Sequence, residues 1–141
     1  MKKRHILIIT LVAFVISVVS LAGKSHRFDD ENSTMAPKDH QVSIIKIKGE
    51  WKVVLTQDHK KKIKAKKKDK ITWKVEGTDV FFQFMDESLF GKSKSSGKKN
   101  KPVTLTIRDN VSVGTYKYAV FCLEDSTFAT GYSPPVIIIE E

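Results

Sequence analysis

Residues 66–84 read KKKDKITWKVEGTDVFFQF, and residues 113–125 read VGTYKYAVFCLED. In the first stretch Ile71, Trp73 and Val75 alternate with Thr72 and Lys74, so an extended segment has one apolar and one polar face. Glu76-Gly77-Thr78-Asp79 supplies turn residues, and Val80-Phe81-Phe82-Gln83-Phe84 resumes an extended run. Successive side chains of a strand point to opposite faces, so Phe81 and Phe82 cannot both be interior. In the second stretch Gly114 precedes an aromatic and β-branched run ending at Cys122, which reads as another strand.

Working outward, residues 42–47 and 51–55 are apolar, β-branched runs split by Gly49-Glu50, and residues 103–107 alternate again. Ser133-Pro134-Pro135 leads into Val136-Ile137-Ile138-Ile139, a run suited to a strand covered on both faces. Ile63 and Ala65 alternate with Lys62, Lys64 and Lys66, the pattern of a half-buried edge strand on which lysine discourages strand-to-strand association. No stretch keeps a helical period of useful length; residues 86–90 offer one turn at most. About seven short strands with turn signals between them predict an all-β sandwich.

Ahead of the domain, Lys2, Lys3 and Arg4 precede an uncharged run of 17 residues, 6–22, which closes on Ser20-Leu21-Ala22-Gly23. A charged start, an apolar run and a small-x-small triplet are the parts of a secretory signal. The triplet favours cleavage; the alternative is an uncleaved anchor through residues 6–22, since a spanning helix needs about 17–25 apolar residues. Residues 1–23 are therefore read as a signal peptide or membrane anchor, residues 24–40 as a polar leader, and residues 41–141 as one folded domain. The expected location is extracytoplasmic, periplasmic or secreted, with membrane contact only through an uncleaved N-terminal segment. An exported domain with one cysteine, Cys122, cannot form an internal disulfide and must rely on its core.

The order of these features resembles the cupredoxin family, the plastocyanin- and azurin-like Greek-key sandwiches. The resemblance rests on residues 66–84 and 113–125 and on the closing segment PVIIIE at 135–140. In that family a Lys-Gly-Asp type turn opens a strand that a His ligand follows, and a Gly-x-Tyr-x-Tyr strand runs into a Cys ligand, then His, then Met. The resemblance implies a cupredoxin-like β-sandwich of about seven strands. The copper ligands do not carry over. The place of the first His falls at or beside Val80-Phe81, Cys122 is followed by Leu123, Glu124 and Asp125, and no methionine comes after it. The four histidines, His5, His26, His40 and His59, lie outside both ligand loops. A copper site of this type needs two imidazoles beside the thiolate. No cofactor is expected, and Cys122 reads as a core residue, with a remnant metal ligand as the alternative.

The remaining signals concern binding. Phe81, Phe82, Phe90 and Phe128, with Glu124 and Asp125, would surround the former metal end and form a surface for a protein or small ligand; core packing is the competing role of the aromatics. Asp79, Asp86 and Glu87 would join the same end. Eight lysines in residues 59–70 and five in residues 91–101 account for much of the net charge of +9. Lys60, Lys61, Lys62, Lys66, Lys67, Lys68, Lys98 and Lys99 are candidates for an anionic surface or polymer, against the simpler role of a solvated face. Nucleic acid is disfavoured by the export signal and by the absence of aromatics among the lysines. No nucleophile–base pair, metal-ligand spacing or phosphate loop suggests an enzyme.

Overall fold

The computed structural model describes residues 36–57, 62–130 and 134–141. Residues 1–23, read above as a signal or anchor, most of residues 24–40, and His59, Lys60 and Lys61 lie outside the described residues. Ten strands are described: β1 (Asp39–Ile47), β2 (Glu50–Leu55), β3 (Lys62–Ala65), β4 (Lys70–Val75), β5 (Val80–Phe84), β6 (Lys94–Gly97), β7 (Val103–Thr106), β8 (Gly114–Cys122), β9 (Thr127–Phe128) and β10 (Val136–Ile139).

The strands form two sheets. One runs β2-β1-β4-β7, and the other runs β3-β10-β8-β5-β6 with β9 added beside β8. β1 and β2 are a hairpin closed by Lys48-Gly49, whose φ angles of 51° and 82° are the left-handed pair that a tight two-residue turn demands. β1 runs parallel to β4, and β10 runs parallel to β3, while the other pairings are antiparallel. The chain thus crosses repeatedly between layers, giving a two-layer Greek-key β-sandwich. At one margin the two layers are stitched: Thr130 N–H donates to the Trp51 carbonyl at 2.7 Å, and Val53 N–H donates to the Thr130 carbonyl at 3.1 Å.

Each apolar run of the sequence forms a strand, and the alternation sets which side chains face inward. Ile71, Trp73 and Val75 of β4 face Val80, Phe82 and Phe84 of β5, and all are buried. Trp73 lies at the centre, with ring centroids 5.0 Å from Phe82, 5.9 Å from Phe90 and 5.8 Å from Tyr118. Its indole N–H donates to the Tyr118 hydroxyl at 3.3 Å, which leaves neither buried polar atom without a partner. Residues 86–90 make one tight turn: Ser88 N–H donates to the Asp86 carboxylate at 2.8 Å and Gly91 N–H to the Glu87 carbonyl at 2.7 Å. This turn presses Leu89 and Phe90 onto the core.

Three expectations change. β1 begins at Asp39, so Asp39 and His40 belong to the sandwich and not to the leader: they pair with Lys70 and Ile71. Ser95 and Ser96, in the second lysine tract where the sequence shows no strand pattern, lie in β6, held against β5 by main-chain pairing. The short β9 also joins the expected strands, opposite the end of β8.

Candidate functional site

Cys122 ends β8 with its side chain inward and no exposed surface, directly across from Val80. Burial pushes its thiol up to about 11, and the Asp125 charge adds to the shift, so the neutral thiol persists at ordinary pH. The one histidine among the described residues, His40, stands level with Ile71 on β4, whereas Val80 and its partner Cys122 lie by the Val75 end of that strand. His40 is also engaged: it donates to the Asp69 carboxylate at 2.8 Å. Among the described residues no three His, Cys, Asp or Glu side chains come together as a metal-holding group. The described residues therefore do not fit a type 1 copper ion, which needs a thiolate and two imidazoles at one point.

The aromatic candidates divide by face. Phe82 and Phe90 are 1% and 7% exposed, so the expectation that they bind a partner is corrected: both pack against Trp73. Phe81 and Phe128 are 54% and 58% exposed on the outer face of the six-stranded sheet. Between them stands Phe121, which the sequence reading did not include among the binding residues. Phe81 pairs across to Phe121, and Phe121 pairs across to Phe128, so three adjacent strands present three phenylalanines in one row. The Phe121 and Phe128 rings meet edge to face with centroids 5.1 Å apart. Strand alternation identifies Phe121 as outward once Cys122 is known to be inward; its alignment with Phe81 depends on register, which no local pattern encodes.

The acidic candidates do not gather at one end. Asp79, Glu124 and Asp125 lie by the start of β5 and the end of β8, where Leu123 N–H donates to the Asp79 carbonyl at 3.0 Å. Asp86 and Glu87 follow the other end of β5. Asp125 accepts from the Trp51 indole N–H at 2.8 Å and pairs with Lys46 at 2.6 Å, and these bonds hold its carboxyl below the usual carboxylate range. Asp125 is thus a strut between the layers, while the Glu124 side chain is exposed.

The lysine candidates are also split. Lys66, Lys67 and Lys68 surround the turn before β4, and Lys98 and Lys99 follow β6 beyond the opposite end of β4, where Asn100 N–H meets the Val75 carbonyl at 2.9 Å. Lys98 pairs with Asp79 at 2.8 Å, and Lys99 N–H donates to the same carboxylate. The two lysine tracts nevertheless share one surface. β3, from the first tract, and β6, from the second, are the two edges of the six-stranded sheet. Between these edges the outward side chains include Lys62, Lys64, Val136, Ile138, Thr115, Lys117, Ala119, Gln83 and Lys94, all exposed or half-buried.

No protein-family model matches the chain, and a comparison with curated proteins finds no match. Solved structures of amicyanin are similar to it. A Cu(I) form of one amicyanin mutant is 19% identical over 76% of this chain and 87% of that one, with a TM-score of 0.45. An oxidised form of another mutant matches with the same identity, coverage and TM-score. A further oxidised mutant is 20% identical over 72% of this chain and 81% of that one, with a TM-score of 0.43. With TM-scores below 0.5, these likenesses assign neither a cofactor nor an activity to this chain.

Proposed function

We propose that this chain is an exported, non-catalytic domain that binds an extracytoplasmic partner through the outer face of its six-stranded sheet, without copper. The observation that carries this reading is the row Phe81–Phe121–Phe128, in which two phenylalanines keep more than half of their surface in solvent. The core does not need these two rings. Strand positions facing water favour polar residues, and a contiguous aromatic row there marks a contact surface more often than chance exposure. Export rests on the charged start, the apolar run and the small-x-small triplet of residues 1–23.

The test is sedimentation of the purified full chain with cell envelopes of its source. The wild type pellets with envelopes, and the double variant Phe81→Ser, Phe128→Ser stays in solution while keeping its thermal midpoint, because both side chains lie outside the core. Pelleting that is unchanged in the double variant removes the reading.

A further inference from the structure

The aromatic row shares its face with an uneven distribution of charge. Outward positions of β3, β5, β6, β8 and β10 carry Lys62, Lys64, Lys94 and Lys117, and none of the outward strand positions described is Asp or Glu. Lys64 meets Glu140 at the rim, at 2.6 Å. Lys94 and Lys117 have no carboxylate within ion-pair distance among the described residues. Gln83 lies between Lys117 and the phenylalanine row, Ser96 stands level with Phe81, and Thr115 lies beyond Lys117 on the side away from the phenylalanines; all three offer exposed hydroxyl or amide groups. Phe121 is four residues from Lys117 along β8, about 13 Å at a strand rise of ~3.3 Å per residue. Cations, neutral hydrogen-bonding groups and aromatic faces are thus laid out on one face of one sheet.

We infer that the ligand of this face is an anionic glycan, a sugar polymer bearing carboxylate groups. The inference rests on the docking reading above and names its ligand class. Ammonium groups make charge-assisted hydrogen bonds to carboxylates. Gln83, Ser96 and Thr115 suit ring hydroxyls, and the phenylalanine row suits the apolar face of a sugar ring.

Two other occupants fit less well. A bilayer takes up apolar side chains that protrude from a loop or helix. Here the rings stand on a sheet, and immersing them would draw Lys94 and the middle of the face towards hydrocarbon at the cost of burying charge. A protein interface concentrates apolar residues at its centre and is depleted of lysine there. On this face Lys117 occupies the central strand, and the phenylalanines lie at one end.

Isothermal titration of the full chain with polygalacturonate, and with the same polymer methyl-esterified to remove its charge, tests the proposal. Polygalacturonate binds, and the esterified polymer binds at least about tenfold more weakly. Lys94→Gln with Lys117→Gln, and separately Phe81→Ala with Phe128→Ala, each weaken binding to polygalacturonate about tenfold, the first loss shrinking as salt is raised. Equal binding of the charged and esterified polymers overturns the proposal, as does binding untouched by the phenylalanine pair, which is the mark of non-specific attraction to lysine. Absence of binding to polygalacturonate, together with phenylalanine-dependent binding to phosphatidylglycerol vesicles, overturns it in favour of a lipid surface. If polygalacturonate does not bind but envelope sedimentation still depends on Phe81 and Phe128, the glycan class fails and the docking reading stands. Loss of both removes both.

Discussion

The Asp69 carboxylate accepts hydrogen bonds from the backbone N–H of Lys38 and Lys66, each at 2.8 Å, and from His40. It ties the start of β1, the end of β3 and the start of β4 together. Burial raises its proton affinity, but the bonds from His40, Lys66 and Lys38 outweigh that and hold the carboxyl below its ordinary range. The unfolded chain therefore takes up a proton at this group at a higher pH than the folded one. Its stabilisation is complete above the ordinary carboxylate range and is lost as pH falls through it towards the lower folded value. Asp69→Ala leaves two backbone N–H groups without their acceptor and lowers stability by about 2–3 kcal/mol at pH 7. Urea midpoints measured from pH 7 to pH 3 check this, with the variant losing less than the wild type as acid is added. Cys122 gives a second residue-scale expectation. A thiol pushed up to about 11 and wholly enclosed reacts with an aromatic disulfide reagent at pH 8 only after the sandwich opens. Rapid labelling of the native chain contradicts its place in the core.

At the scale of the element, β6 shows how an edge strand can leave no apolar pattern in the sequence. Lys94-Ser95-Ser96-Gly97 contains no large apolar residue, and its pairing comes from β5 alone. Gly97 makes the fit: a Cβ there would lie 2.6 Å from a Val103 methyl and 3.0 Å from a Val80 methyl. Gly97→Ala therefore forces β6 away from the core and destabilises by about 1–3 kcal/mol, read as a lower thermal midpoint. Loss of amide protection confined to β6 and the adjoining edge of β5 identifies the site of damage. The apolar strands are legible in the sequence because each alternates with period two or forms a short β-branched run between turn residues. β6 and β9 are not, since one lacks apolar residues and the other has only two residues. The binding face is half legible for a related reason. Alternation separates Phe81 from Phe82, but Phe90 sits in a turn with no period to say whether it faces in or out. Phe121, Lys94 and Lys117 join the face through register across strands distant in sequence, and a linear pattern carries no register.

For the whole molecule, the question is whether the sandwich draws any stability from a metal. The aromatic cluster around Trp73 and the aliphatic residues of both sheets fill the interior continuously from β4 to β10. Cys122 is part of that filling, with Val80 opposite, and His40 is committed to Asp69 beyond the other end of β4. A ligand that binds only the folded state stabilises it by about 2.7 kcal/mol at one hundred times its dissociation constant. For a domain of this size each kcal/mol shifts the thermal midpoint by about 4–8 °C, so tight copper binding would raise the midpoint by an easily measured amount. The expected result is a midpoint unchanged by Cu(II), by Cu(I) under reducing conditions, or by a chelator, with no thiolate-to-copper absorption band in the Cu(II) titration. A copper-dependent rise of several degrees that disappears in Cys122→Val would place the metal at Cys122 and overturn the non-copper reading. A rise that persists in that variant would instead place a metal site elsewhere in the chain and leave the assignment of Cys122 to the core intact.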